Sequence, residues 1–376
     1  MRSQLLALIG FLFCSLSATG QTLTPVLRAN LPAGLSESSG IVATGRNSLW
    51  THEDSGGEPV LSQLDSNAVL LRTVAVRNAA NVDWEDVTSD STGRFYVGDF
   101  GNNAQNRTDL VIYRLPDLDT VTTDSVDAEE IHFSYPDQDS FPPSAARMNF
   151  DVEAMVHRGN HLYLFSKDES DPYTGWSKLY RLPDTAGTYV AELLDSFNTG
   201  TGPWFITSIT SASLSPDGST LVLMASGHLW FLTGFAGDDF FGGAVDHYAI
   251  SGFSQKEAIS WVSNTELYLT DELFSGIGGK LYYLAMPPPV AVAPSITSTL
   301  EVGPNPFDHQ ICVTGAALQA GCEASLWNVS GQLVARWSLG LQPCWPTEGL
   351  PLGPYLLRLD GPQGGFTSRS LIKISR

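Results

Sequence analysis

Residues 84–115 read WEDVTSDSTGRFYVGDFGNNAQNRTDLVIYRL. An opening run, WEDVTSD from Trp84, is followed by a second apolar strand, RFYVGDFG, and then by a third, LVIYRLPD. The same order recurs along the chain. ESSGIVAT (from Glu37), VEAMVHR (Val152), SASLSPDG (Ser211) and EAISWV (Glu257) open four further units, followed by SLWTHED, HLYLFSKDE, TLVLMAS and ELYLTDE. Third strands read PVLSQLD, KLYRLPD, HLWFLTGF and KLYYLA, and fourth strands read LLRTVAV, EEIHFSY, YVAELLDSF and VDHYAIS. The matching positions Glu37, Glu85, Glu153, Ser211 and Glu257 are 48, 68, 58 and 46 residues apart, a spacing that suits four-stranded blades with variable loops. The fifth unit lacks a fourth strand, while TPVLRA from Thr24 is an unclaimed one at the other end. Pairing it into the last unit closes a ring and removes an exposed sheet edge. The expected fold is all-β: a β-propeller of five blades, with six as the alternative if a long spacer holds a degenerate blade.

Composition agrees. The 376 residues carry only 16 % charged side chains, with 35 glycines and 22 prolines, a mixture that favours short strands and turns over helices. A formal net charge of −20 excludes a basic groove for nucleic acid. Residues 1–20 read as a secretory signal peptide, with Arg2, an apolar LLALIGFLF and small residues Ala18 and Gly20 before Gln21. No other apolar run approaches the ~20 residues of a membrane span, so the mature chain is expected to be soluble. From Gln21 to Pro294 there are 35 acidic and 14 basic residues; from Ser295 onward the count is five of each. The proline-rich stretch MPPPVAVAP between them marks a boundary. The expected organisation is signal peptide 1–20, propeller 21–286, linker 287–297 and a second domain 298–376.

That second domain reads as a small Ig-like β-sandwich of about seven strands, with a hairpin turn at Ser330-Gly331. Its motifs occur in a distinctive order: Pro304-Asn305-Pro306-Phe307, then WNVSGQLV, then LPLGPYLLRL, then a last strand containing Lys373. In this order they resemble the type A sorting domain of type IX secretion cargo, over roughly Ser298 to Arg376. The resemblance implies a Bacteroidota-type bacterium, outer-membrane export by the type IX secretion machinery, and a product released or held at the cell surface. Cys312, Cys322 and Cys344 lie here, enough for one disulfide and one odd thiol, with the pairing open.

The repeat itself resembles a group of secreted bacterial propellers that carry a DWED segment, a GDxGNN…R…IYRL segment and later EA segments. The matching residues are Asp83 to Asp86, Gly98 to Asn103 with Arg107, Ile112 to Leu115, Glu153-Ala154 and Glu257-Ala258. The resemblance supports the fold and transfers no reaction.

In such a fold the start of each innermost strand and the end of the second share one face of the disc. Acids sit at both points: Glu37, Glu85, Glu153 and Glu257 at the first, Asp54, Asp99, Asp168 and Asp271 at or near the second. Asp83, Asp86, Asp151 and Glu272 flank them, and blade four offers Ser211 and Ser226 instead. Such a ring must bind a cation, recruit basic partners, stay hydrated or hold protons. Calcium suits an all-oxygen site outside the cell, with Glu37, Glu85, Glu153, Glu257, Asp99 and Asp271 as candidate ligands. Lys167 and Arg107 are the candidate internal counter-charges. His52, Asp54, Tyr173 and Trp176 are candidates for contact with a further ligand, and His52 beside Asp54 for a general base. No nucleophile elbow, zinc-binding helix or phosphate-binding loop occurs in the sequence. Three readings follow: a module that binds an unknown extracellular ligand, a calcium-dependent hydrolase of esters, lactones or phosphoesters, and a structural surface-layer component.

Overall fold

The computed structural model describes residues 21–286, 301–314, 322–328, 332–339, 344–360 and 366–375. The expected signal peptide and linker lie outside them. The chain divides into two compact units, Met1–Met286 and Pro287–Arg376.

The first unit is a five-bladed β-propeller. Its inner strands, Ser38–Gly45, Trp84–Ser89, Asp151–Arg158, Ile209–Leu214 and Lys256–Ser263, each start a separate antiparallel sheet. Each inner strand lies against the next, and the fifth returns to the first. Val26–Asn30 pairs antiparallel with Lys280–Ala285, Val26 opposite Tyr283 and Asn30 opposite Lys280, so the N-terminal strand completes blade five. Short parallel strands cap three outer edges: Ser125–Val126 on blade one, Gly187–Val190 on blade two and Gln21–Leu23 on blade four. Two of them come from the segment of the following blade, and the third precedes the closing strand of blade five. They therefore lace neighbours together while covering open ladders.

Blades pack through five apolar clusters, one at each interface. Strand alternation drives this: Trp50 and Phe95, both fully buried, meet edge-on with ring centroids 5.8 Å apart between blades one and two. Inner strands of adjacent blades splay too far apart to share a ladder, so side chains catch their amides. Asp86 Oδ2 accepts from Met155 N at 2.7 Å, Ser211 Oγ from Ile259 N at 3.2 Å, Ser213 Oγ from Trp261 N at 3.1 Å and Ser260 Oγ from Ala43 N at 2.9 Å. Asp86, expected to flank the acidic series, and Ser211, expected in its place in blade four, are thus blade-to-blade clamps.

The second unit holds a three-stranded sheet (Glu301–Gly303, Gln310–Thr314, Cys344–Pro346) and a four-stranded one (Leu333–Leu339, Cys322–Asn328, Gly353–Asp360, Phe366–Lys373). One core binds both sheets, with Phe307, Ile311, Leu326 and Leu357 fully buried. Cys312 and Cys344 face each other across paired strands and form the disulfide. The motif residues are structural here: the Phe307 ring is fully buried, Lys373 Nζ sits 5.7 Å from its centroid, and that ammonium donates to the Thr347 carbonyl. The Ser330-Gly331 turn lies outside the described residues, though the strands it joins pair antiparallel.

Candidate cation site at the acidic face

All five inner strands slip register at the same place. The slip leaves one extra residue in each: Ser39, Glu85, Glu153, Thr210 and Glu257. A bulge of this kind re-aims its side chain, and here it turns three carboxylates toward the channel. In blade one the bulged residue is Ser39, not Glu37. Glu37 lies before the strand, exposed, with its N–H donating to Glu53 Oε1. In blade four it is Thr210, whose hydroxyl donates to the Lys256 carbonyl at 2.8 Å.

Ligand oxygens of Glu85, Asp151 and Glu153 lie within 4.8 Å of one another, as do those of Asp54, Asp83 and Glu85. Glu85 belongs to both groups, so five carboxylates form one continuous cluster between blades one and three. Ser39 Oγ donates to the Glu85 carbonyl at 2.8 Å and reaches its Oε2 at 3.3 Å. Asp151 is fully buried; its Oδ1 accepts from Asn102 N at 2.6 Å while Oδ2 has no hydrogen-bond partner. Gly101 makes room for the cluster: a Cβ there would stand 2.1 Å from Glu85 Oε1 and 2.6 Å from Asp83 Cγ. The second glycine of GDFGNN therefore belongs to the site, brought against Asp83 and Glu85 by the pairing of Trp84–Ser89 with Arg94–Asp99.

Lys167 is the counter-charge. Its Nζ donates to Glu153 Oε1 at 2.7 Å. Burial alone would lower this ammonium, but Glu153, Asp151, Glu257 and Glu85 hold its pKa well above the ordinary value. One cation does not balance the set. Burial, then neighbouring carboxylates, push Glu85 and Asp151 well above the usual range. Burial, Glu153 and Asp83 raise Asp54 to about 7; burial and Glu153 raise Asp83 to about 6 against a smaller pull from Arg107. Burial lifts Glu257 to about 8 despite Lys167.

These shifts give a sign for pH dependence. An acid raised on folding binds protons in the folded state that the unfolded chain has already released, so stability is lost as pH climbs through the folded pKa. His52 works oppositely: burial lowers it to about 4, so stability rises with pH between about 4 and 6.5. Above 6.5 His52 is neutral in both states and the raised acids Asp54 and Glu257 set the sign. Thermal melting of the chelator-treated protein should therefore show Tm falling between pH 6.5 and 8; a flat or rising profile there would contradict the cluster's burial.

The other expected ligands are committed elsewhere. Asp99 accepts from Arg107 Nη2 at 2.9 Å and from the backbone of Val82 and Asp83, while Arg107 Nη1 also binds the Gly101 carbonyl, so the GDxGNN…R segment is a self-tied loop. Asp271 accepts from Lys280 N at 2.8 Å and the Tyr282 hydroxyl at 2.7 Å, because strand alternation turns it toward the third strand of its own blade. Asp168 organises the DPYTGW loop, accepting from the amides of Ser170, Thr174, Gly175 and Trp176 and from the Thr174 hydroxyl. His52 is fully buried, its Nδ1 3.0 Å from the Glu53 carbonyl oxygen, in edge contact with Trp84. Its Nε2 lies 2.4 Å from where a Gly40 Cβ would stand, which explains the glycine of ESSG. It cannot act as a base on the face. Tyr173 lines a cavity of about 470 Å³ with Asn103, Met148, Glu169 and Trp204. Trp176 is half-exposed and does not line it.

No family model and no curated protein matches the sequence. Among solved structures, PorZ, a surface component of the type IX secretion system of Porphyromonas gingivalis, aligns at 12 % identity and a TM-score of 0.35, covering 90 % of this chain and 45 % of its own. The chain thus spans less than half of that protein. The PQQ-bound aldose sugar dehydrogenase of Streptomyces coelicolor aligns at 11 % identity and a TM-score of 0.42, covering 69 % of this chain and 97 % of that one. The WD40 propeller domain of Doa1 aligns at 9 % and 0.31, covering 94 % and 87 %. At these scores no ligand or reaction carries over.

Proposed function

We propose that the chain is an exported, ligand-binding β-propeller whose channel face holds a divalent cation, calcium by the chemistry of its donors. The observation that supports the cation is the Glu85–Asp151–Glu153 cluster, in which a fully buried carboxylate keeps one oxygen without a partner. A buried, unpaired charge is too costly to keep unless something compensates it. Hard carboxylate oxygens from several strands and loops suit calcium, which accepts six to eight oxygens in irregular geometry. Asp54, Asp83, Glu85, Asp151 and Glu153 would hold it. When bound, it would neutralise the cluster and offer a Lewis-acidic position to an oxygen of a ligand. The chain's own parts prepare that site: Asn102 N orients Asp151, Ser39 orients Glu85, and Lys167 takes up one oxygen of Glu153.

Titration calorimetry of the chelator-treated full chain with calcium chloride tests this. Saturable binding with proton release, lost in Asp151→Asn, is the expected result. No heat of binding in the wild type would end the cation reading.

Residues 298–376 are proposed as the part read by the type IX secretion machinery, on the resemblance of their motifs. Removing residues 295–376 should leave the propeller in the periplasm of a type IX-secreting host. Undiminished export of the truncated chain would refute it.

A further inference from the structure

Beside the carboxylate cluster, on the blade four and five side of the same face, lies a second cavity of about 420 Å³. Its wall is aromatic. Trp204 and Phe205, on the short helix Trp204–Thr207, are each 51 % exposed; Phe253 is 73 % and Phe274 64 % exposed. Four large rings left open to water around one cavity are an unusual exposure for a folded domain, and such clustering marks a binding surface. The rings come from three separate loops, those leading into the inner strands of blades four and five and the one leaving Asp271, so no single loop accounts for them.

The floor has a definite chemistry. Ser208 Oγ donates its proton to the Asp168 carbonyl at 3.1 Å, and Thr210 Oγ1 donates to the Lys256 carbonyl at 2.8 Å. With their protons spent, both hydroxyls present lone pairs to the cavity. Glu257, re-aimed by the bulge of its strand, lines the same cavity; burial raises it to about 8, so an ammonium bound there takes the place of its proton. Lys167 also lines it, but one of its donors is given to Glu153 and it stands among Glu153, Asp151, Glu257 and Glu85. Gln255 commits its amide to Glu272 at 2.6 Å. Ser226, Ser254 and Ser275 add further hydroxyls and Lys167 keeps donors not given to Glu153, so the floor both donates and accepts; its preference is set by the open rings and by a face of strong negative charge. A carboxylate or phosphate ligand would be repelled by that field, whereas an ammonium gains from Glu257, from the hydroxyl lone pairs and from the faces of the rings.

We propose that this cavity binds a primary ammonium carried on an apolar body, with the ammonium at Glu257, Ser208 and Thr210 and the body among Trp204, Phe205, Phe253 and Phe274. The site depends on reading this face as a binding surface but not on the cation, since none of the five cation-cluster carboxylates lines the cavity.

The test is calorimetry on the full chain with three probes of matched shape: phenethylammonium, 2-phenylethanol and phenylacetate. Each is titrated with chelator present and again with calcium. The ammonium should bind at least about tenfold more tightly than the alcohol, and phenylacetate should not bind. Glu257→Gln should weaken the ammonium about tenfold and leave the alcohol unchanged. Phe253→Ala, a change at a side chain too exposed to disturb folding, should weaken both. Equal affinity for ammonium and alcohol, preference for phenylacetate, full ammonium affinity in Glu257→Gln, or no binding of any probe would each overturn the proposal. Because calcium binding is read separately through Asp151→Asn, failure here leaves the cation reading standing, and failure there leaves this one.

Discussion

Chelator-treated protein carrying Glu85→Gln together with Asp151→Asn melts higher than chelated wild type, on the order of 5 °C, and calcium reverses that order. Two carboxylates ~5 Å apart at an effective dielectric near 20 repel by roughly 3 kcal/mol. Burial and neighbouring carboxylates favour the protonated forms of Glu85 and Asp151, which relieves part of that repulsion. The amides keep the shape, and Asn at 151 still offers an oxygen to Asn102 N. Without metal, removing the charges is a net gain. With calcium at a hundred times its dissociation constant, the wild type gains about 2.7 kcal/mol and the variant gains nothing. Differential scanning calorimetry with chelator and with calcium reads both arms. A double variant that melts below chelated wild type would mean that these carboxylates are satisfied inside the protein, and the metal centre would fall with that result.

Lys167→Met carries the second large effect, a loss of about 3–5 kcal/mol, the usual result of removing one partner of a buried ion pair. Among the described residues Lys167 is the ammonium that Glu153, Asp151, Glu257 and Glu85 share. Methionine retains its apolar stem and deletes only the charge. The second variant separates electrostatics from packing: adding Glu153→Gln to Lys167→Met should recover a substantial part of the loss, because the stranded carboxylate goes as well. Denaturant unfolding followed by tryptophan fluorescence supplies the numbers. A single variant within about 1 kcal/mol of wild type, or a double variant worse than the single, would remove Lys167 from the centre of the network.

Much of this arrangement was legible in the chain. The repeat of opening, second and third strands placed every blade, and the missing fourth strand of the last unit pointed to Val26–Asn30 as the closure. Glu153 was visible at the start of its strand and Lys167 as a candidate counter-charge; their pairing came from the structure. Glu37 was misplaced because sequence similarity aligned acid with acid, whereas the bulge selects a position: Ser39 in blade one and Thr210 in blade four occupy it. Asp99 and Asp271 stand at strand ends as expected, yet Arg107 and Tyr282 claim them. Gly101 was visible within GDxGNN but not its place against Glu85, and Trp204 and Phe205 were visible only as aromatics able to stack on a ligand; Phe253 and Phe274 had no local signature, since a loop phenylalanine looks alike wherever it falls.

Periodicity, turn residues and the count of strands are local properties, set by which side chains must alternate between core and solvent, and these gave the propeller and its ring closure from the amino-acid order alone, with five blades favoured over six; the structure decided the number. Only the closed ring decides which carboxylates meet. The cluster joins residues from Asp54 to Glu153, across three blades, and their distances depend on one-residue bulges that reverse the direction of a side chain. A shift of that size leaves the hydrophobic pattern almost unchanged, while it moves a charge from the flank of a blade into the channel.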